Sequence, residues 1–181
     1  MEQERTSCGN GSAADAGANW YALHVRSRHE FVASSELKRK RIENFLPSVV
    51  RLSQWKDRKK SVEFPLFPGY LFVHIPPHPE VFLSVAKTRG SVGFVCLLPG
   101  HPTPVLPEEV DSLRLLLTSG KPFDVYPDLT PGTRVRVKRG PLAGAEGVLA
   151  AREDQCLFHV NIEILGRSVA LKVCGDDMEQ A

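Results

Sequence analysis

Along the chain, apolar and polar positions alternate in short runs that switch period several times. "WYALHV" begins at Trp20 and alternates as a first strand. Ser27-x-x-Glu30 reads as a capping box that opens a helix over 28–41, with a patchy apolar stripe of Phe31, Val32, Ala33 and Leu37 and a "KRKR" end in water. From Asn44, "NFLPSVVRLSQW" predicts an extended arm that turns at "KDRKK" and returns through "SVEFPLF", and "YLFVHI" predicts a central strand. After the "PPHP" break come a short helix over 79–87, the turn "TRGSVG" and a strand "FVCLL". "LPEEVDSLRLLL" then places Pro107 in a first helical turn, with Val110, Leu113 and Leu117 on one side. Strands interleaved with short helices give an α/β arrangement over 19–118.

The pattern then changes. Residues 118–132 are dense in Gly and Pro without periodicity, which predicts a linker over 119–130. "TRVRVKRG" alternates strictly, "PLAGAEG" is a glycine-punctuated turn, and "VLAAR", "CLFHVNIEIL" and "SVALKV" are strands. So few strands in so short a segment bury an inner face only by curling into a small barrel, expected over 131–176 with a tail at 177–181. The overall class is therefore α+β. Residues 1–18, rich in Gly, Ala and Ser, read as a disordered leader.

Composition narrows the function classes. No segment reaches eighteen consecutive apolar residues, and the first residues have neither a basic n-region nor an apolar h-region, so a cytoplasmic protein without membrane contact is expected. The four cysteines (Cys8, Cys96, Cys156, Cys174) lack C-x-x-C spacing, and the six histidines form no H-E-x-x-H or similar cluster. "RGSVG" lacks the lysine and hydroxyl of a phosphate loop, and "RGPLAGAEG" is not at a strand-to-helix junction. No enzyme, metal or cofactor is expected. The net charge of +2 is uneven: residues 20–64 carry eleven Lys or Arg against five Asp or Glu. A basic region of that kind favours nucleic acid or an acidic protein surface, or is simply a solvated face.

"KKSVEFPLFPGYLFVHI" sets aromatic residues around a Phe67-Pro68-Gly69-Tyr70 corner directly after that basic run. Gly69 permits a corner and Pro68 stiffens it. The rings either plug the domain core or meet a partner, and alternation alone does not say which face is solvent.

Four motifs in order, "WYALHV", "FPGYLFV", "TRGSVGFV" and a second domain running from Gly132 through "GPLAGAEGV" to "ILGR", resemble the NusG family of bacterial transcription elongation factors. The resemblance implies an NGN-like first domain, an α/β sandwich with an antiparallel sheet, and a KOW domain of SH3-like barrel form. It implies a non-enzymatic monomer that binds RNA polymerase in a depression for the β′ clamp helices, faces the β subunit with its other edge, touches upstream or non-template DNA and modulates pausing, termination or antitermination. Carried onto matching positions, the depression involves Tyr21, Phe67, Pro68, Gly69 and Tyr70, with Arg89, Val92 and Phe94 nearby. The basic tip, Lys56, Arg58, Lys59 and Lys60, would meet nucleic-acid phosphates. A similar tip in specialised antiterminators inclines the likeness toward a specialised paralogue. In the second domain, positions that are aromatic in members binding Rho or a ribosomal protein are Leu142, Ala145 and Leu165; with Arg167 they form the expected partner surface. KOW barrels also occur in ribosomal proteins, so an RNA-binding or ribosome-associated module is the alternative.

Overall fold

Strand β1 (Asn19–Val25) organises the first domain. Its alternation sends Tyr21, Leu23 and Val25 into one buried cluster and Trp20 and Ala22 into another, on opposite faces of the sheet. The computed structural model describes residues 17–55, 58–126, 130, 132–152, 155–172 and 178–180. The expected leader lies outside this range except at its last two residues.

On one side of β1 lies β5 (Tyr70–Ile75), antiparallel, with Trp20 opposite His74, Ala22 opposite Phe72 and His24 opposite Tyr70. On the other side lies β6 (Ser91–Phe94), with β7 (Pro104–Val105) against the start of β1, while β2 (Glu43–Phe45) pairs with β5. Helices α1 (Glu30–Arg39) and α2 (Pro79–Ala86) supply Ala33, Leu37 and Val85 to the cluster of Tyr21, Leu23, Val25, Leu71, Val73 and Ile75. The arm is a separate two-stranded ladder, β3 (Ser48–Trp55) with β4 (Arg58–Pro65), registered from Ser48 opposite Pro65 to Trp55 opposite Arg58.

Three local expectations change. The capping box does not form: His29 is the N-cap, with no side-chain cap bond, and the carboxylate of Glu30 is turned inward to a different amide. The strand "FVCLL" stops at Phe94, because β6 ends there. Helix α3 (Pro107–Thr118) buries Leu116 completely rather than Leu117, and it also buries Ser112. Val110 and Ser112 are about 200° apart around a helix of 3.6 residues per turn. Both are buried, so α3 is covered from two sides.

The second cover is the barrel. Its sheet has the order β13-β9-β10-β11-β12-β8, all antiparallel. The strands are β8 (Phe123–Tyr126), β9 (Thr133–Val137), β10 (Glu146–Arg152), β11 (Gln155–Ile162), β12 (Arg167–Lys172) and β13 (Met178–Gln180), with a 3-10 turn (Glu163–Leu165) before β12. Two edge strands thus come from segments expected to be linker and tail. β8 pairs with β12 and β13 pairs with β9. Neither segment had enough alternation to be read alone; the long neighbouring strand supplies the template.

Phe158, Val160 and Ile162, at period two on β11, face inward with Val169 and Leu171 of β12. Gly147 lies against them: a Cβ there would overlap the carbonyl oxygen of His159 and come within 2.8 Å of the Phe158 ring. Its restriction is space, not φ. Gly147→Ala is expected to destabilise the barrel by about 2–3 kcal/mol, the upper part of the range for overpacking, because one colliding atom is backbone. Urea denaturation followed by barrel amide signals checks this; an unchanged midpoint would contradict the close approach. No helix among the described residues is long and apolar enough to cross a membrane.

Candidate functional site

The Phe67–Tyr70 corner is fixed by three hydrogen bonds from backbone N–H groups, two to backbone carbonyls and one to a side-chain carboxylate. Gly69 has φ +84°, a left-handed conformation that a side chain resists. The Tyr70 N–H donates to the Phe67 carbonyl at 3.0 Å, and the Val25 N–H donates to the Gly69 carbonyl at 2.8 Å. The Gly69 N–H donates to Glu30 Oε1 at 2.9 Å, and Glu30 is buried. The start of α1 therefore holds the corner against the end of β1. Glu30→Ala strands a buried amide and is expected to cost about 1–3 kcal/mol. Glu30→Gln, which keeps an acceptor, should recover much of it in thermal unfolding; equal losses for the two would mean that packing rather than the bond matters.

Fixed this way, Tyr70 opens a row of rings on the sheet face opposite α1 and α2. The Tyr70 ring stacks on His24 at 5.2 Å, Trp20 stacks on His74 at 4.9 Å, and Phe45 stacks on Phe72 at 6.2 Å. The Arg114 guanidinium of α3 lies 4.8 Å from the Trp20 ring centre and 5.1 Å from that of Phe45. Glu43 orients the edge of the row, accepting from Arg114 at 3.3 Å and pairing with His74 Nδ1 at 3.0 Å.

The residues expected in one depression do not converge. Tyr70 is half-buried on this face and Pro68 is exposed at the corner. Phe67 is 0% exposed and forms part of the shared core, so it supports the face from beneath and does not present a ring. Tyr21 and Phe94 are on the opposite face: Tyr21 packs edge-on against Phe82 at 5.0 Å and Phe94 at 6.1 Å, beneath the helices. The cause is period two, since Tyr21 is one residue out of phase with Trp20 and Ala22. Arg89 is exposed, its N–H donating to Glu36 Oε2 at 3.2 Å, and Val92 is 58% exposed. Lys56 lies outside the described residues; Arg58, Lys59 and Lys60 are on the β4 side of the arm.

The barrel positions also need correction. Leu142 and Ala145 are buried in the core and offer no surface to a partner, because the turn that carries them folds inward, with the Ala145 N–H donating to the Leu142 carbonyl at 2.9 Å. Leu165 is half-buried against the shared core. Arg167 meets the first domain itself, its guanidinium 5.7 Å from the Tyr70 ring centre.

That contact belongs to a continuous seam. Trp20, Ala22, Phe67, Phe72, Val110, Leu113 and Leu116 of the first domain form one buried cluster with Val135, Leu142, Phe158 and Val160 of the barrel. Across it, the Glu146 N–H donates to Ser112 Oγ at 2.8 Å and the Glu163 N–H donates to Glu109 Oε1 at 3.4 Å. At its margin is a cleft of about 350 Å³, lined by residues including Glu108, Glu109, Glu146, Glu163 and Arg134. Burial above all raises the pKa of Glu109 from 4.5 to about 7. The Glu163 and Glu108 carboxylates add to this, while the Glu163 amide and Arg134 oppose it. Trp20, His24, Phe72, Ser112, Glu109 and Arg114 were absent from the expected set. Phe72 and Trp20 were accessible from alternation with Tyr70 and its partner strand; the α3 residues had no sequence signal, because a helix covered on two sides looks like a one-faced helix with a few odd polar positions.

The face consists of ring faces, a guanidinium and a helix, with a small barrel seated on them. The chain is thus a two-domain protein in which the ring-lined face of a sandwich domain is covered by a small barrel. Over residues 18–114 the chain matches the family model NusG, described as "Transcription termination factor nusG". It is 33% identical over 175 residues to the "Transcription termination/antitermination protein NusG" of Staphylococcus aureus strains Mu50 and N315, across 89% of this chain and 94% of theirs. The chain belongs to the NusG family and is a regulator of transcription elongation. Among solved structures it is similar to one described as "Domain interaction in Thermotoga maritima NusG", with TM-score 0.48 and 22% identity over 92% of this chain and 98% of that one.

Proposed function

We infer that the chain regulates elongation without chemistry of its own, by docking the ring face of its first domain on RNA polymerase. The β′ clamp helices are the proposed ligand, with the β subunit at the other edge. The observation that carries this reading is the cover on the face: Phe72 and Tyr70 are packed by α3 and the barrel, while the helices α1 and α2 complete the opposite face alone. An apolar surface closed by a second domain can exchange that cover for a partner. Half-exposed aromatic rings over a rigid support also suit a binding hot spot. A protein of this kind works where transcription does, in the cytoplasm, and as a monomer.

Upstream or non-template DNA fits the basic surfaces. Lys40 Nζ donates to the Ser84 carbonyl and to Thr88 Oγ1, both at 2.9 Å, which draws the end of α1 against the end of α2. Lys38, Arg39 and Arg41 are exposed around the end of α1, and Lys87 and Arg89 are exposed just beyond α2. Such a group, with the arm, suits phosphates and carries no base reading. The partner surface expected on the barrel loses Leu142 and Ala145 to the core, which leaves no support for coupling to Rho or a ribosomal protein through them.

The test is binding of the full chain to RNA polymerase, with an isolated β′ clamp-helix fragment as competitor. Competition that is weakened by Tyr70→Ala supports the reading. Binding to polymerase that the fragment cannot compete places the ligand elsewhere and overturns it.

A further inference from the structure

We propose that Glu109 is a proton-operated latch between the domains: neutral, it lets the barrel seat on α3 and close the ring face; ionised, it loosens that seat. The proposal deepens, and rests on, the reading of the ring face as the polymerase-binding surface.

Glu109 stands on the first turn of α3 where the barrel crosses it, and its Oε1 accepts from the Glu163 amide. The described charged groups around it come from every element at that margin. They are Glu108 on α3, Glu163 on the 3-10 turn, Glu146 on β10 and Arg134 on β9. Four carboxylates line the cleft. Glu146 is paired with Arg136 of β9, whose Nε donates to its Oε1 at 3.0 Å, and the Arg134 guanidinium is drawn to Glu163 at 3.7 Å. This leaves Glu108 and Glu109 without a close cation of their own among the described residues. Closing the cleft takes Glu109, which is half-buried there, partly out of water beside like charges. Both effects favour its neutral form.

The sign follows from linkage. Seated, Glu109 holds its proton up to about pH 7; in water after release it should return to the ordinary 4.5. The seated state therefore binds more protons between those values, so seating strengthens as pH falls through 7, levels off below 4.5 and is weakest above 7. These limits give a ratio of seated to released molecules about tenfold higher at pH 6 than at pH 8. His159 is the other described group moved near neutrality, with burial lowering its pKa from 6.5. It acts oppositely and elsewhere: the folded barrel resists its protonation, so barrel stability, rather than seating, falls as pH drops below 6.5.

The experiment is nuclear relaxation of backbone amides in the full chain at pH 6 and pH 8. One tumbling time shared by both domains marks the seated state, and two separate times mark release. The wild type should shift toward release at pH 8 by about tenfold in the ratio. Glu109→Gln, neutral at every pH and still able to accept from Glu163, should stay seated at both. Where the wild type is fully seated at both values, Ser112→Ala lowers the balance into range for the same comparison. An equal ratio at the two pH values, or a Glu109→Gln protein that follows the wild type, overturns the latch. Polymerase affinity then separates the two readings. If Glu109→Gln is locked yet binds polymerase at pH 8 as tightly as the wild type does, the latch stands and the ring face is not the binding surface.

Discussion

Phe67→Ala will abolish polymerase binding by unfolding the first domain, whereas Tyr70→Ala will weaken binding in a domain that stays folded. Phe67 is fully enclosed in the shared core, and removing such a ring costs about 3–5 kcal/mol in lost transfer energy and residual cavity. That is a large fraction of the roughly 5–15 kcal/mol that holds a domain together. Tyr70 is half-buried above a corner fixed by backbone bonds that do not involve its ring. Two effects then oppose each other. Loss of the ring weakens the Arg167 contact and so helps release the barrel, which for a partly exposed cation–π pair is worth about 0.5–1 kcal/mol. Loss of an aromatic anchor at the interface costs about 2 kcal/mol or more. The second effect wins, so affinity should fall by about tenfold or slightly more. Circular dichroism and a binding titration on both variants check the pair. A folded Phe67→Ala protein, or a Tyr70→Ala protein that binds like the wild type, would show that the two rings have been assigned the wrong roles.

The contrast between these rings shows what the sequence can reveal. The corner itself was legible, because Gly and Pro announce a backbone constraint directly. Its orientation was not. Tyr21, Phe67, Tyr70 and Phe94 are similar residues near one another in the strand pattern, and a single phase error separates the ring face from the helix-covered core. The register of His24 opposite Tyr70 fixes the phase, and register is a property of two strands together. Glu30 has the same lesson. Its spacing from Ser27 satisfies a capping box, yet the backbone N–H of Gly69, distant in sequence, donates to its carboxylate instead. Local motifs state what a residue is able to bond, and the fold selects among the options.

The core strands of the barrel were readable from alternation in "TRVRVKRG" and "CLFHVNIEIL", whereas its edges were not. β8 and β13 are short, and their pairing depends on the ladders already formed beside them. The seam between domains left still less trace. Ser112 looks like an ordinary polar position on an amphipathic helix, and only its burial beside Glu146 identifies it as a contact. Leu142 and Ala145 mislead for the opposite reason: the resemblance put a partner surface at these turn positions, but the side chains here close the shared core.

Ser112 therefore gives the most direct control over the ring face, and Ser112→Arg should tighten polymerase binding by tenfold or more while separating the domains. The residue is 2% exposed, and its Oγ accepts the Glu146 amide, so its side points to the barrel. An arginine there has no room while the barrel is seated, and enclosing its charge without a partner is prohibitive. The helix itself tolerates the change, since arginine is a good helix former and Val110, Leu113 and Leu116 keep the rest of the packing. Binding that requires an open face is weakened by the fraction of molecules that are open, so a chain seated 90–99% of the time gains about tenfold to a hundredfold on release. Ser112→Ala makes the scale internal: it removes one bond worth about 0.5–1.5 kcal/mol and should fall between wild type and Ser112→Arg. Separate tumbling of the two domains without a gain in affinity would mean that the barrel covers something other than the polymerase-binding face.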